Sequence, residues 1–471
     1  MNLRLYTPFR DRQAVVTPPQ PISIRLTPRL AFELILLSVV LMVAIPLFRM
    51  AAETVPYAPD ETHYLVTSRY FHHTFISRDL NHPDWAESYN TRTQPMLARF
   101  AVGAALWIQG LDLLDLPLSG DFIFGLSVEE NEALGRVPDP WLLNAARAPM
   151  IGFAIGTIGL VYLLGRFIAG PLGGLSAAVF TMGSPLVDQS LVRAVPDAMM
   201  MFFILLALVL SVIGARRQDG GLGPGWALVI GIALGLALGT KLASLISVCA
   251  VLTWSVIAST LALSLANNTG WRTRGVAAWR ALRGWLLAVG IALHIFIASN
   301  PYLYPNPGLH TLQLFAQLAY ENAVVQSQFP GQVLHPLDRP RYVVEGSLVE
   351  HTLTARWGYP LEPFLAALGA SGIFMQVWLM WRRDRQIRAR GLLLVTAFSY
   401  FVLVTMAISM AWQRYLIPTM VLSAVLSGIG VAWIVHTLIG LLYASVDMAR
   451  RTIQTRHTSD IPPTSATSPS H

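Results

Sequence analysis

One short stretch of the chain sets two acids, a hydroxyl and an imidazole side by side: Pro59, Asp60, Glu61, Thr62, His63 and Tyr64. Adjacent carboxylates with a histidine nearby suit proton transfer. One carboxylate serves as base for a hydroxyl, a neighbouring charge tunes its pKa, and the imidazole orients either group. An Asp after Pro is also a helix cap, and Asp60 could cap a helix running through Phe71. Capping alone leaves Glu61 and His63 unexplained, just beyond an apolar run where ionisable groups are costly unless paired or used. The set fits group transfer from a sugar phosphate, in which a base takes the acceptor proton while an anionic phosphate leaves.

Such a reaction also needs cations for the phosphate, and several polar residues stand out between apolar runs. Arg92 and Arg99 flank Thr93-Gln94-Pro95-Met96-Leu97. A guanidinium there could hold phosphate oxygens in a bidentate way, or simply snorkel to the membrane interface. Asp188, Arg193 and Asp197 lie in a short polar stretch after Ser184-Pro185; alone, Asp197 reads as an N-terminal helix charge. Lys241 is the only lysine in the chain and follows Gly235, Gly239 and Thr240. A compact ammonium where every other long cation is arginine could meet phosphate or pair with a carbonyl at a helical turn. Trp412-Gln413-Arg414-Tyr415 opens the last apolar region, and Arg414 could neutralise a leaving phosphate or anchor at the interface beside Trp412 and Tyr415.

The elements that must position these residues are membrane helices. The chain has 471 residues, of which 54% are hydrophobic and 13% charged, with mean hydropathy +0.52. Soluble domains carry about 25% charged residues, so the composition points to an all-α polytopic membrane protein. Runs long enough for a span of about 20 residues begin near Ala31, Met150, Pro171, Ala198, Trp226, Leu242, Trp285, Pro363, Gly391 and Leu416. The run from Met96 to Leu114 is an eleventh candidate, equally readable as an interfacial helix. Ten to eleven transmembrane helices are expected.

Arginine placement orients them. Arg216 with Arg217, the group Arg272, Arg274, Arg280 and Arg283, the run 382–390, and Arg450 with Arg451 are expected to be cytoplasmic, with both termini. Residues 50–147 hold 13 acids against 6 arginines, which is consistent with the outer side. The expected organisation is a cytoplasmic segment over 1–30, a transmembrane domain over 31–445 with long outer loops near 50–94 and 300–361, and a cytoplasmic tail over 446–471. The tail from His457 is rich in Ser, Thr and Pro and is expected to be disordered.

Other function classes are excluded or weakened. The net charge of +7 is carried by short arginine clusters between spans, so nucleic acid is not an expected partner. Cys249 is the only cysteine and lies in an apolar run, where it reads as packing. No His-x-x-x-His pair or matched carboxylate cluster appears, so no tightly bound metal is expected. The glycine-rich segments are apolar and lack a phosphate-loop pattern.

Asp60-Glu61-Thr62-His63-Tyr64 resembles the Asp-Glu-x-His-Phe element of protein O-mannosyltransferases, and Pro59-Asp60-Glu61-Thr62 resembles the Pro-Asp-Glu-Thr of lipid A aminoarabinose transferases. Both belong to the GT-C class of polytopic glycosyltransferases that use polyprenyl-phosphate sugars. The likeness continues in order through Thr93-Gln94-Pro95, Arg147-Ala148-Pro149, Ser184-Pro185, Asp197, Thr240-Lys241, Asn300-Pro301 and Arg414-Tyr415 with Pro418. Where those families carry His or Lys before the proline, this chain has Gln94, which weakens a donor-phosphate contact there.

The resemblance implies a GT-C bundle in which Asp60 is the base, Glu61 a neighbour shaping the donor site, and His63, Arg92, Arg99, Lys241 and Arg414 candidates for the donor phosphate. Arg193, Asp197 and Tyr415 would border the site. The implied reaction is inverting transfer of a sugar from a polyprenyl-phosphate carrier to a hydroxyl or amine of an unidentified lipid, glycan or protein at the non-cytoplasmic face. Absence of organelle signals favours a bacterial inner membrane. Monophosphate-donor relatives generally work without a divalent ion, so a loosely held ion stays open. The second loop, with His335, Asp338, Arg339, Arg341, Glu345, Glu350 and His351, could recognise the acceptor or be a solvated surface. A transporter or flippase of a lipid-linked sugar would likewise place charges within a bundle, although no internal repeat is evident.

Overall fold

The computed structural model describes residues 28–86, 88–217, 222–265, 270–380 and 385–459. Among them, helices dominate and no strand forms beyond an isolated bridge between Val333 and Met410. The long helices are α1 (Pro28–Thr54), α4 (Pro140–Met182), α5 (Asp197–Arg217), α6 (Pro224–Thr240), α7 (Leu245–Leu265), α8 (Trp271–Ala298), α9 (Pro307–Gln328), α10 (Glu362–Met380), α11 (Arg385–Ala407) and α12 (Ile417–Ser459). Two shorter ones matter for the site: α2 (Pro59–Val66) and α3 (Leu97–Ile108).

Eight helices among the described residues are long and apolar enough to cross a membrane. Helix α4 supplies two of the expected runs, because the chain reverses inside it. Gly170 adopts φ 82° and ψ −175°, a conformation closed to residues with a Cβ, and the following Pro171 starts the second leg. The legs meet backbone to backbone: a Cβ on Gly165 would lie 2.7 Å from the Gly173 carbonyl oxygen. With α6, a 17-residue apolar helix, the described chain has ten apolar legs for the ten runs read from the sequence. The eleventh candidate, from Met96, becomes α3. Its 12 residues rise only about 18 Å, short of the ~30 Å of hydrocarbon.

Close packing places Lys241. Gly231, Gly235 and Gly239 recur every four residues along α6 and lie against α8; a Cβ on Gly231 would sit 2.6 Å from the Ala288 carbonyl, and one on Gly235 2.7 Å from that of Ala292. Without side chains between them the backbones approach directly. Helix α6 stops at Thr240, and Lys241 leaves in extended conformation, φ −156°. The second leg of α4 packs on α12, which also packs on α10.

The two long loops meet each other; the first is built of short helices and the second of α9 with shorter turns. The Met96 N–H donates to Asn300 Oδ1 at 2.9 Å, joining the end of the first loop to the start of the second. Helix α12 continues through 446–459. Residues 1–27 and 460–471, which hold most of the expected N-terminal segment and unstructured tail, lie outside the described residues.

Candidate active site

Helix α2 begins where Pro59, whose missing N–H costs nothing at the first helical position, follows Ala58 in extended conformation. The turn points Asp60 and Glu61 in different directions and gives them different chemistry. Glu61 is fully buried and Arg147 is 2% exposed. Arg147 donates Nε–H to Oε1 at 2.8 Å and Nη2–H to Oε2 at 2.7 Å. Oε1 also accepts from the Ala194 N–H at 2.8 Å, and Oε2 from the Ala58 N–H at 3.0 Å. Arg147 further donates to the carbonyls of Ala52 at 2.6 Å and Val55 at 3.1 Å. With both oxygens doubly bonded, Glu61 joins the start of α2, the first leg of α4 and the segment before α5, and Arg147 ties these to the end of α1.

Asp60 faces the opposite way, its side chain 35% exposed, and its Oδ2 accepts from Arg414 Nη1. Burial would raise the Asp60 pKa, but the Arg414 charge and hydrogen bond, with His63 and Lys241 nearby, hold it below the ordinary carboxylate value. Arg414 stacks over Tyr415 at 5.7 Å and Trp412 at 5.2 Å, and Lys241 Nζ lies 5.4 Å from the Tyr415 centroid. Tyr415 thus stands between the two cations. Lys241 Nζ donates to Asp197 Oδ1 at 2.6 Å, and both residues are buried.

Arg193 is different: its Nε is buried and no hydrogen-bond or carboxylate partner for the side chain is found among the described residues. It lies within electrostatic range of Glu61, Arg147, Arg414 and Asp60. Because Glu61 and Arg147 neutralise each other, the remaining cluster holds three cations (Arg193, Lys241 and Arg414) against two carboxylates (Asp60 and Asp197). One positive charge is left over, as a site for an anion requires.

His63 is built into the wall. Arg99 is fully buried and donates Nη2–H to His63 Nε2 at 3.0 Å, which puts the ring proton on Nδ1, facing Asp121 Oδ2 at 3.3 Å. The segment carrying Asp121 closes over α2: Arg136 donates to the Asp121 carbonyl at 2.6 Å, and Thr62 to that of Arg136 at 3.1 Å. Arg92 lies 5.1 Å over the Tyr302 ring, on the second loop, and its Nε is buried without a partner among the described residues. The structure therefore gathers Asp60, Arg193, Asp197, Lys241, Arg414 and Tyr415, and sets His63 with Arg99, and Arg92, in separate contacts.

The second loop is fastened beside Arg414. Leu334 N–H donates to the Ser409 carbonyl at 2.9 Å, Ala411 N–H to the Gln332 carbonyl at 2.8 Å, and Trp412 Nε1–H to Gln332 Oε1 at 2.6 Å. Sequence reasoning missed Asp121 and the partnership of Arg147 with Glu61. Arg147 carried a signal, being an arginine just inside a long apolar run; Asp121 carried none. A second cluster was also missed: His73, His82 and Asp84 meet in the first loop, one ligand-type atom from each lying within 4.8 Å of the others.

The helical bundle, with its helices long and apolar enough to cross a membrane, has the GT-C fold. Its chain order and packing are similar to those of archaeal oligosaccharyltransferase AglB from Archaeoglobus fulgidus, solved with an inhibitory peptide and a dolichol-phosphate, at 14% identity over 89% of this chain and 52% of that one, TM-score 0.50. ArnT from Cupriavidus metallidurans, bound to undecaprenyl phosphate, is 16% identical over 87% of this chain and 63% of that one, TM-score 0.49. The Saccharomyces cerevisiae Pmt1-Pmt2 O-mannosyltransferase complex with sugar donor is 16% identical over 60% of this chain and 34% of that one, TM-score 0.39. This chain spans about half to under two thirds of the length of the AglB and ArnT chains. No family model and no curated protein matches the sequence.

Proposed function

We propose that the chain is a membrane glycosyltransferase that moves a sugar from a polyprenyl-phosphate carrier to an acceptor hydroxyl or amine at the non-cytoplasmic face, with inversion and with Asp60 as general base. The observation that carries this is the partly exposed Asp60 carboxylate held by Arg414 beside Arg193, which has no partner among the described residues. At rest, Arg414 holds Asp60 ionised but weakly basic. A donor phosphate entering among Arg193, Lys241 and Arg414 would compete for the Arg414 guanidinium, and charge-assisted bonds to phosphate are strong. Asp60 would then lose its counter-ion as the donor arrives, become more basic, and take the acceptor proton while the phosphate leaves onto the arginines.

Glu61 is assigned a positioning role: its bond to the Ala194 N–H steadies the segment from which Arg193 projects. The titration of Asp60 and the supply of cations come from this chain's own residues, and no divalent ion is invoked for the transfer. A bacterial inner-membrane location with cytoplasmic termini is part of the same reading. The fold likeness to AglB supports the bundle type and the charge arrangement supports the chemistry.

The test is release of polyprenyl phosphate from a panel of labelled polyprenyl-phosphate sugars by the purified protein in lipid, with membrane extract as acceptor source. Release by wild type and its loss in folded Asp60→Asn is the expected result. Turnover by the variant would remove Asp60 as base, and transbilayer movement of the donor without release would make the protein a transporter.

A further inference from the structure

The cluster of His73, His82 and Asp84 lies apart from the transfer site and is independent of that reading. After Arg69–Phe71 the chain makes a π-helical turn over His72–Ile76, then returns through a 3₁₀ turn at Pro83–Ala86. The return stacks the His73 and His82 rings, centroids 3.9 Å apart and planes 19° apart, with both edges turned to Asp84. His73 Nε2 is 3.0 Å from Asp84 Oδ2, and His82 Nδ1 is 3.4 Å from Oδ1. A tetrahedral ion with bonds of about 2.0–2.1 Å keeps its ligands about 3.3 Å apart; each nitrogen-to-carboxylate distance is close to that, and one ligand atom from each of the three residues lies within 4.8 Å of the others.

The Asp84 N–H donates to His82 Nδ1 at 3.3 Å, and a metal ion bound there would take over that lone pair. The carboxylate is steadied from outside, as ligating carboxylates are: Arg69 Nε forms an ion pair with Oδ2 at 2.7 Å, and the Tyr70 hydroxyl donates to the Asp84 carbonyl at 2.8 Å.

We infer that His73, His82 and Asp84 form a binding site for a divalent transition-metal ion of the zinc type, which staples the π-helical turn to the Pro83–Ala86 turn. Two imidazoles and one carboxylate suit zinc, cobalt or nickel and do not suit magnesium or calcium, which take oxygen ligands. The imidazoles must be neutral to bind metal. The ion would stiffen the loop between α2, which carries Asp60, and Arg92, and takes no part in proton transfer.

The experiment uses the full chain, tag removed, purified in lipid nanodiscs and treated with chelator. Zinc alone is titrated against a chromophoric indicator, and bound metal is counted by mass spectrometry after desalting. About one equivalent of zinc is expected, with a tetrahedral visible band when cobalt replaces it. His82→Gln, at a half-exposed position, and Asp84→Asn should each weaken zinc by more than about tenfold, and His351→Gln should not. Elution profile and thermal melt confirm that the variants are folded. No stoichiometric zinc in folded wild type overturns the assignment. So does an equivalent retained at unchanged affinity in both His82→Gln and Asp84→Asn, which would place the metal elsewhere.

Discussion

Arg414 donates to Asp60 across 354 positions of sequence, from the threshold of the last membrane helix to the first turn after the first one. The pair sits where both side chains are about one third exposed, so the contact is accessible to a competing anion. Glu61, the next residue, is sealed into a salt bridge. Two adjacent carboxylates thus take different work, one reversible and one permanent.

Replacing Asp60 by Asn should leave the fold intact, since its side chain holds no buried partner beyond Arg414. Transfer should fall by about 10²- to 10⁴-fold, the usual contribution of a positioned base, while donor binding is retained or tightened. Single-turnover release and equilibrium donor binding, measured on the same preparation, separate the two effects.

The pH profile follows from the direction of the Asp60 shift. Arg414 holds the free-enzyme carboxyl below the ordinary value of about 3.9, so the acidic limb of kcat/KM lies below that value in wild type. Arg414→Gln removes the counter-charge and leaves burial, which pushes the pKa up. The acidic limb should therefore move to higher pH in the variant. A limb that stays in place would separate Arg414 from the titrating group.

Arg193→Gln should change stability little, because the side chain has no partner to lose among the described residues. The KM for donor should rise about tenfold or more, in line with a charge-assisted hydrogen bond of about 1.5–3 kcal/mol. An unchanged KM with lowered thermal stability would make Arg193 a structural residue.

Glu61→Gln and Arg147→Met should behave in the opposite manner. Each leaves its partner charged and buried, at a cost of about 3–5 kcal/mol, visible as a lower melting temperature in lipid or detergent. Loss of activity without loss of stability in Glu61→Gln would argue that this carboxylate enters the chemistry.

Lys241 and Asp197 form the remaining coupled pair. Lys241→Met should destabilise by leaving Asp197 unpaired, and the double variant Lys241→Met with Asp197→Asn should recover part of the loss. A coupling of about 0.5–3 kcal/mol in the double-mutant cycle is expected for groups in contact.

The membrane class and the ten apolar legs follow from local composition, because hydrocarbon demands about 20 apolar residues with their backbone bonds satisfied within each helix; the Met96 run read equally as a span or an interfacial helix, and the structure ends its helix after 12 residues. Asp60, Lys241 and Arg414 were legible for a related reason: ionisable groups beside apolar runs are costly enough to be conspicuous. Partnership was not legible. Whether Asp60 or Glu61 would be sealed depended on Arg147 and the Ala194 N–H, which lie 86 and 133 positions from Glu61. The reversal at Gly170 was legible only as two runs, since a positive φ is set by the legs that must pack against each other. The His73, His82 and Asp84 cluster has no telling spacing; a π-turn and a 3₁₀ turn bring its members together. The sequence by itself determined which segments enter the membrane and which residue types stand at its edge, since those depend on transfer free energies of single segments. Only the tertiary structure decided which charge meets which, because that depends on distances between segments remote in sequence.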